Sequence, residues 1–61
     1  MPIITVQLWP GRTHETKADI AKGITQVIQK VADISPEGII VVFEEVSKEH
    51  WATGGVLASD K

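Results

Sequence analysis

The first hydrophobic segment of the chain, residues 3–9, alternates between two kinds of position. Ile4, Val6 and Leu8 are all apolar, whereas the positions between them carry both apolar and polar side chains. A period of two predicts a β-strand with one fully apolar face and one mixed face. The strand is followed by Pro10-Gly11, a pair that is typical of a turn.

The next segment carries apolar residues at the spacing of an α-helix. Thr13 is a suitable N-cap residue, and Glu15 in the first turn suits the positive end of the helix dipole. Gly23 lies inside this helix at a cost of about 1 kcal/mol relative to alanine, so we expect another element to pack closely there. The apolar stripe consists of Ile20, Ile24, Val27, Ile28 and Val31.

Residues 39–43 form an unbroken apolar run that is rich in β-branched side chains. Such a run is typical of a strand covered on both faces, as in a parallel sheet. A strand, a helix and a second strand with short links predict one right-handed β-α-β unit. Gly54-Gly55 marks a later turn, and Val56-Leu57 is interpreted as a short strand or a docking tail. The prediction is one α+β domain over residues 1–61.

One β-α-β unit leaves the second face of its sheet uncovered, so we expect other copies of the chain to cover it. A chain of 61 residues has difficulty burying enough surface to be stable alone, and small folds usually compensate with disulfides, a metal or oligomerisation. It has no cysteine, and His14 and His50 lack the spacing of paired metal ligands. We therefore predict a homo-oligomer without a metal or cofactor.

The charge and hydropathy of the chain exclude several classes of partner. The net charge is −2 and no lysine–arginine cluster is present, which argues against binding to nucleic acid. No apolar run has the length of a membrane span, and the first residues lack the regions of a signal peptide. We expect a cytoplasmic protein that does not bind a membrane.

Pro2 is the first residue with candidate chemistry. Methionine ahead of a small residue is normally trimmed, and removal of Met1 would leave the proline nitrogen as a free secondary amine. The reference pKa of an amino terminus is near 8, and an apolar surround or a nearby cation lowers it towards neutrality. Such an amine can serve as a general base in tautomerisation. The alternative is that Pro2 only caps a strand, which is all it can do if Met1 is retained.

Arg12 follows the turn glycine and precedes the helix, where a guanidinium and free N–H groups favour a carboxylate. An ordinary surface arginine is the alternative. Pro2 and Arg12 are joined by mostly extended chain, which at roughly 3.3 Å per residue separates them by more than about 20 Å. Antiparallel pairing of the first strand with its own copy would bring them together. Trp51 would then supply an apolar wall, unless it packs in an interface.

Three further polar residues in or after the second strand can each be interpreted in two ways. Glu44 and Glu45 end this strand, and they either pair with Lys48 or mark where the strand leaves the core. His50 either lines a pocket beside Trp51 or lies at the surface or an interface.

Short motifs along essentially the whole chain resemble the 4-oxalocrotonate tautomerases of the tautomerase superfamily. These motifs are Pro2 behind the methionine, the Gly11-Arg12-Thr13 turn, and the tail with His50-Trp51, Gly54-Gly55 and Leu57-Ala58-Ser59. The resemblance implies a β-α-β subunit, dimers with a four-stranded sheet, and a hexamer of three dimers. It implies an isomerase that interconverts enol and keto forms of substrates such as 2-hydroxymuconate or phenylenolpyruvate.

The same resemblance implies a role for each candidate site residue. Pro2 matches the amino-terminal proline that acts as the general base, and Arg12 matches the arginine that binds the substrate carboxylate. Trp51 matches the active-site aromatic residue, which is usually phenylalanine. Trp9 falls where the family uses backbone at the end of the first strand.

Position 40 departs from the family pattern. Well-studied members carry a second arginine there, which polarises the 2-oxo end of the substrate and binds its carboxylate, whereas this chain has Ile40. With Arg12 as the one pocket cation, monoacids are expected to react better than diacids. A low-activity or non-catalytic oligomer, or one subunit type of a hetero-oligomer, is the alternative. Thr53 and Trp9 replace residues that the related chloroacrylate dehalogenases need, which argues against hydrolytic dehalogenation.

Overall fold

The structure, a computed structural model, describes residues 2–61 of the chain. Met1, and with it the expected removal of that residue, lies outside the described residues. The elements are strand β1 (Ile3–Leu8), helix α1 (His14–Ala32), strand β2 (Ile40–Glu45), and strands β3 (Ala52–Thr53) and β4 (Val56–Leu57). Short 3₁₀ turns occur at Pro36–Gly38, Lys48–His50 and Ala58–Asp60.

Strands β1 and β2 form a parallel two-stranded sheet in which Ile3 lies opposite Ile40 and Leu8 lies opposite Glu45. The sheet is extended at both ends, because the Ile40 N–H donates to the Pro2 carbonyl (3.0 Å) and the Val46 N–H donates to the Leu8 carbonyl (2.8 Å). The second strand therefore begins one residue later and ends two residues later than the apolar run 39–43. Backbone pairing with β1, rather than apolar character, sets these limits.

The helix begins as predicted, since the Thr13 side-chain oxygen accepts a hydrogen bond from the Thr16 N–H (3.1 Å). It ends before Asp33, which adopts a left-handed conformation (φ 55°). The part of the stripe at Ile20, Ile24 and Ile28 is half-buried in the chain. The other members are exposed.

Val27 and Val31 are 60% and 80% exposed, although their spacing assigned them to the buried stripe. A sheet of two strands is too narrow to cover the whole stripe, so these two side chains remain outside the contact. No atom of the chain comes within 4 Å of a Cβ built on Gly23. The close contact expected at Gly23 is therefore not made within one subunit.

The two faces of the sheet differ in exposure. The even-numbered residues of β1 are half-buried, as are Val41 and Phe43 of β2, and α1 packs next to β2. On the opposite face Ile3 is 62%, Ile40 38% and Val42 41% exposed. The prediction that the second strand is covered on both faces is thus not met within a single chain.

The last part of the chain forms a β-hairpin, in which β3 and β4 pair antiparallel. Gly54 and Gly55 connect them with φ values of 62° and 84°, which suit a two-residue turn of type I′. The Ala58 N–H donates to the Trp51 carbonyl (2.7 Å) and closes the hairpin. Val56 and Leu57 thus form a short strand. The predicted α+β class, a β-α-β subunit with a short C-terminal hairpin, is confirmed.

The chain contains a single long helix within the described residues, and nothing among residues 2–61 is both long and apolar enough for a helix to traverse a bilayer.

Candidate active site

Two of the candidate site residues, Trp9 and Trp51, are in direct contact. Their ring centroids are 5.8 Å apart and the ring planes meet at 74°, an edge-to-face arrangement. Trp9 directly follows β1, and Trp51 directly follows the 3₁₀ turn Lys48–His50. The pair therefore marks the end of the sheet at which both β1 and β2 terminate.

Lys48 is a third member of this group, and its ammonium nitrogen lies 4.8 Å from the centroid of a Trp9 ring. This distance is within the range of a cation–π interaction. Lys48 and Trp51 are three positions apart across a 3₁₀ turn, where side chains at i and i+3 eclipse each other. Both side chains can therefore reach Trp9. We call these three residues the Trp9–Trp51–Lys48 cluster.

Sequence reasoning did not assign Lys48 to the site, and treated it instead as one option for pairing with Glu44 or Glu45. Both carboxylates have other partners, since Gln7 Nε2 donates to Glu44 Oε1 (2.9 Å) and Lys17 Nζ lies 2.7 Å from Glu45 Oε2. The pairing with Lys48 is thus wrong. The spacing of three residues between Lys48 and Trp51 was the one sequence signal for the cluster.

Arg12 lies in the loop between β1 and α1. It follows Gly11, whose φ of 114° is a conformation that favours glycine, and it precedes the N-cap Thr13. The side chain is exposed, and within residues 2–61 it makes neither an ion pair nor a side-chain hydrogen bond. Its guanidinium group is available to a ligand.

Pro2 lies at the opposite end of β1, where its carbonyl accepts the hydrogen bond from the Ile40 N–H. Six residues of extended strand separate it from Trp9, about 20 Å at the usual rise per residue. A single chain therefore brings Trp9 and Trp51 together and leaves Arg12 in the following loop, but it does not bring Pro2 to them.

A depression of about 320 Å³ adjoins the cluster and is lined by Gln7, Val46, His50, Trp51 and Ala52. His50 Nδ1 lies 3.2 Å from Ser47 Oγ, and this contact fixes the imidazole at the rim. Both interpretations of His50 hold, because it is exposed and also lines the depression beside Trp51. A larger depression of about 480 Å³ lies at the C-terminal end of α1 and contains none of the candidate site residues.

Comparisons with known proteins agree on one family. The sequence profile of the tautomerase enzyme family matches residues 2–61 of the chain. A probable tautomerase of Staphylococcus epidermidis is 43% identical over 61 residues, which is 100% of both chains. The 2-hydroxymuconate tautomerase of Bacillus subtilis is 37% identical over 60 residues, covering 98% of this chain and 97% of that protein.

A solved structure gives the same result for the fold. The crystal structure of YwhB, a homologue of 4-oxalocrotonate tautomerase, superposes with a TM-score of 0.94 at 35% identity and covers 98% of both chains. The chain thus has the β-α-β fold of a 4-oxalocrotonate tautomerase homologue. The chain belongs to the tautomerase family, as its resemblance to that family indicated.

Proposed function

We propose that this protein is an enol–keto tautomerase of the 4-oxalocrotonate tautomerase type, which acts without a cofactor. Its substrates are 2-hydroxydienoates and enols of 2-oxo acids, such as 2-hydroxymuconate or phenylenolpyruvate. The general base is the nitrogen of Pro2 after removal of Met1. The similarity to the 2-hydroxymuconate tautomerase of B. subtilis supports this substrate class.

The observation that carries the proposal is the position of the candidate residues at the two ends of one strand. Pro2 precedes β1, whereas Trp9 and Arg12 follow it, with Trp51 against Trp9. Within the described residues β1 pairs with β2 alone, so its other edge is free to pair. Antiparallel pairing with a two-fold related copy joins the start of each β1 to the end of the other. Each dimer then holds two complete sites.

Exposed apolar side chains support further assembly. Ile3, Ile40 and Val42 form an uncovered apolar face on the sheet. Such a face on a small domain is typical of a surface that contacts another chain. We propose a homohexamer built as a trimer of dimers, in line with the resemblance described above.

In the proposed reaction the Pro2 nitrogen takes the proton of the 2-hydroxyl group of the enol. The electron pair of the O–H bond forms the carbonyl, the double bond shifts, and the protonated proline returns a proton to carbon. The reaction needs no outside oxidant or water. Arg12 binds a substrate carboxylate, Trp51 forms an apolar wall, and the backbone of Trp9 contributes a hydrogen bond.

Ile40 favours a second candidate, which is an oligomer of low or no activity, or one subunit type of a hetero-oligomer. Its backbone is hydrogen-bonded to Pro2, so an apolar residue is the strand neighbour of the proposed base. An arginine there would assist the reaction, and isoleucine cannot.

One experiment distinguishes the two candidates. Protein whose intact mass shows loss of Met1 is assayed with 2-hydroxymuconate and with phenylenolpyruvate, alongside Arg12→Ala and the control Lys30→Ala. We expect turnover that falls in Arg12→Ala and is retained in the control. Turnover that is absent in trimmed protein, or that is low and equal in all three proteins, would support the oligomer of low or no activity.

A further inference from the structure

We propose that Lys48 is a second anion-binding residue of the pocket and determines whether a substrate with two carboxylates is accepted. This inference rests on the proposed function, because it assigns a role within the same site. Its starting observation is that the ammonium group of Lys48 lies on a Trp9 ring, 4.8 Å from the centroid. A positive charge thus lies against Trp9, whose partner Trp51 lines the depression beside the cluster.

The charge of Lys48 is not neutralised by a neighbouring carboxylate. Lys17 is the partner of Glu45, and Gln7 is the partner of Glu44. Within residues 2–61, Lys48 makes no ion pair. The ring contacts one side of the ammonium group, and since a lysine carries three N–H donors, the others remain available to an anion.

The local backbone restricts where Lys48 can reach. Its 3₁₀ turn is closed by a hydrogen bond from the His50 N–H to the Ser47 carbonyl (2.9 Å). Trp51 ends this turn and contacts Trp9 through its ring. An ammonium group held by a rigid turn and an aromatic face loses less freedom when it binds an anion than a free surface lysine does.

The proposed dimer brings Lys48 of one subunit to the part of the site where Ile40 supplies no cation. Ile40 lies beside Pro2 at the start of β1, and Lys48 lies on Trp9 just beyond its end. Antiparallel pairing of two copies places these ends next to each other across the two-fold axis. Arg12 and Lys48 together then give the site two cations, where the sequence interpretation counted one. A dicarboxylate enol has one anionic group for each.

The test compares Lys48→Met, Lys48→Arg and the control Lys22→Met, which removes the same charge from an exposed helix position without a described ion pair. KM and kcat are measured with 2-hydroxymuconate as the diacid and phenylenolpyruvate as the monoacid. We expect Lys48→Met to raise the diacid KM by about five- to tenfold, the size of a lost charge-assisted contact. The monoacid KM should change by less than about twofold, as for an exposed charge.

Lys48→Arg should restore the diacid KM, and Lys22→Met should behave as wild type. Equal changes for both substrates in Lys48→Met would mean that Lys48 only supports Trp9, and would overturn the inference.

A binding measurement separates this inference from the proposed function. Trp9 and Trp51 are the only two tryptophans of the chain, and it has no tyrosine, so intrinsic fluorescence reports on the cluster itself. Hexanedioate and hexanoate are titrated into each variant. A Lys48-dependent preference for hexanedioate supports the inference even if the wild type turns over neither enol. Equal affinities of wild type and Lys48→Met for hexanedioate contradict it.

Discussion

Ile40 donates its backbone N–H to the carbonyl of Pro2 over 3.0 Å. This hydrogen bond places the backbone of residue 40 next to Pro2, the residue that carries the proposed base. Ile40 also lies opposite Ile3, and both side chains belong to the exposed face of the sheet. The apolar character of position 40 therefore does not arise from packing inside the subunit.

Ile40→Arg should raise the turnover of diacids selectively, because it adds a cation beside Pro2 at a position that is exposed in the subunit. We expect kcat/KM for 2-hydroxymuconate to rise by about tenfold, the effect of one charge-assisted hydrogen bond in a pocket. The value for phenylenolpyruvate should change little. Ile40→Gln, which has a similar size but no charge, is the control. Equal gains for both substrates would show that the added charge does not act on a second carboxylate.

The sequence predicted the features of the fold that depend on neighbouring residues. The alternation in β1, the N-cap at Thr13 and the Gly54-Gly55 turn are local patterns, and the structure has each of them. The extent of β2 was not predictable in this way, because it depends on hydrogen bonds to a strand more than 30 residues away. The exposure of Val27 and Val31 depends on the width of the sheet beneath the helix.

The sequence proposed the residues of the candidate site but not the contacts between them. Pro2, Arg12, Trp9 and Trp51 were found from motifs, whereas the edge-to-face contact between the tryptophans depends on the path of the chain after β2. Lys48 was missed because the two glutamates close to it in sequence offered simpler partners. In the structure those glutamates pair with β1 and α1 side chains instead.

Substitutions at two adjacent positions of β2 should separate folding from assembly. Val41 faces the helix side of the sheet and is half-buried, whereas Val42 is 41% exposed on the opposite face. Val41→Asp puts a charge into the small core and should cost several kcal/mol of unfolding free energy, about 3 or more. Val42→Asp should leave the secondary structure intact and weaken association. Circular dichroism and sedimentation at micromolar concentration measure the two effects.

A soluble oligomer with unchanged thermal stability in Val41→Asp would show that the helix-facing side of β2 is assigned wrongly. A wild-type chain that sediments as a clean monomer would contradict the proposed assembly altogether. Val42→Asp would then have no association to weaken.

Gly23→Ala tests whether a second copy packs on the helix. Within one chain the space around Gly23 is open, so alanine should stabilise an isolated helix by up to about 1 kcal/mol. If another copy approaches closely there, the added methyl group should instead lower the stability of the oligomer. We expect the second result, measured as a lower melting temperature at high protein concentration. A higher melting temperature at every concentration would place Gly23 outside any interface.

The pH dependence of activity tests Pro2 as the base. The proline nitrogen must be unprotonated to accept a proton, so activity should fall as the pH drops through the pKa of this amine. An apolar pocket and the cation of Arg12 both disfavour the protonated form, and we expect this pKa to lie below that of an ordinary amino terminus. Arg12→Gln should shift the acidic limb of the kcat profile to higher pH, because one of these two causes is removed.

Blocking the terminus tests the same nitrogen directly. If Met1 is retained, the nitrogen of Pro2 is a tertiary amide whose lone pair is delocalised, and it cannot accept a proton. Pro2→Ala with Met1 removed keeps a primary amine at this position, so some activity should persist with a changed pH profile. We expect activity to decrease from trimmed wild type to trimmed Pro2→Ala to any blocked protein, each confirmed by intact mass. Equal turnover by blocked and trimmed protein would reduce Pro2 to a residue that caps β1, because a blocked nitrogen cannot be the base.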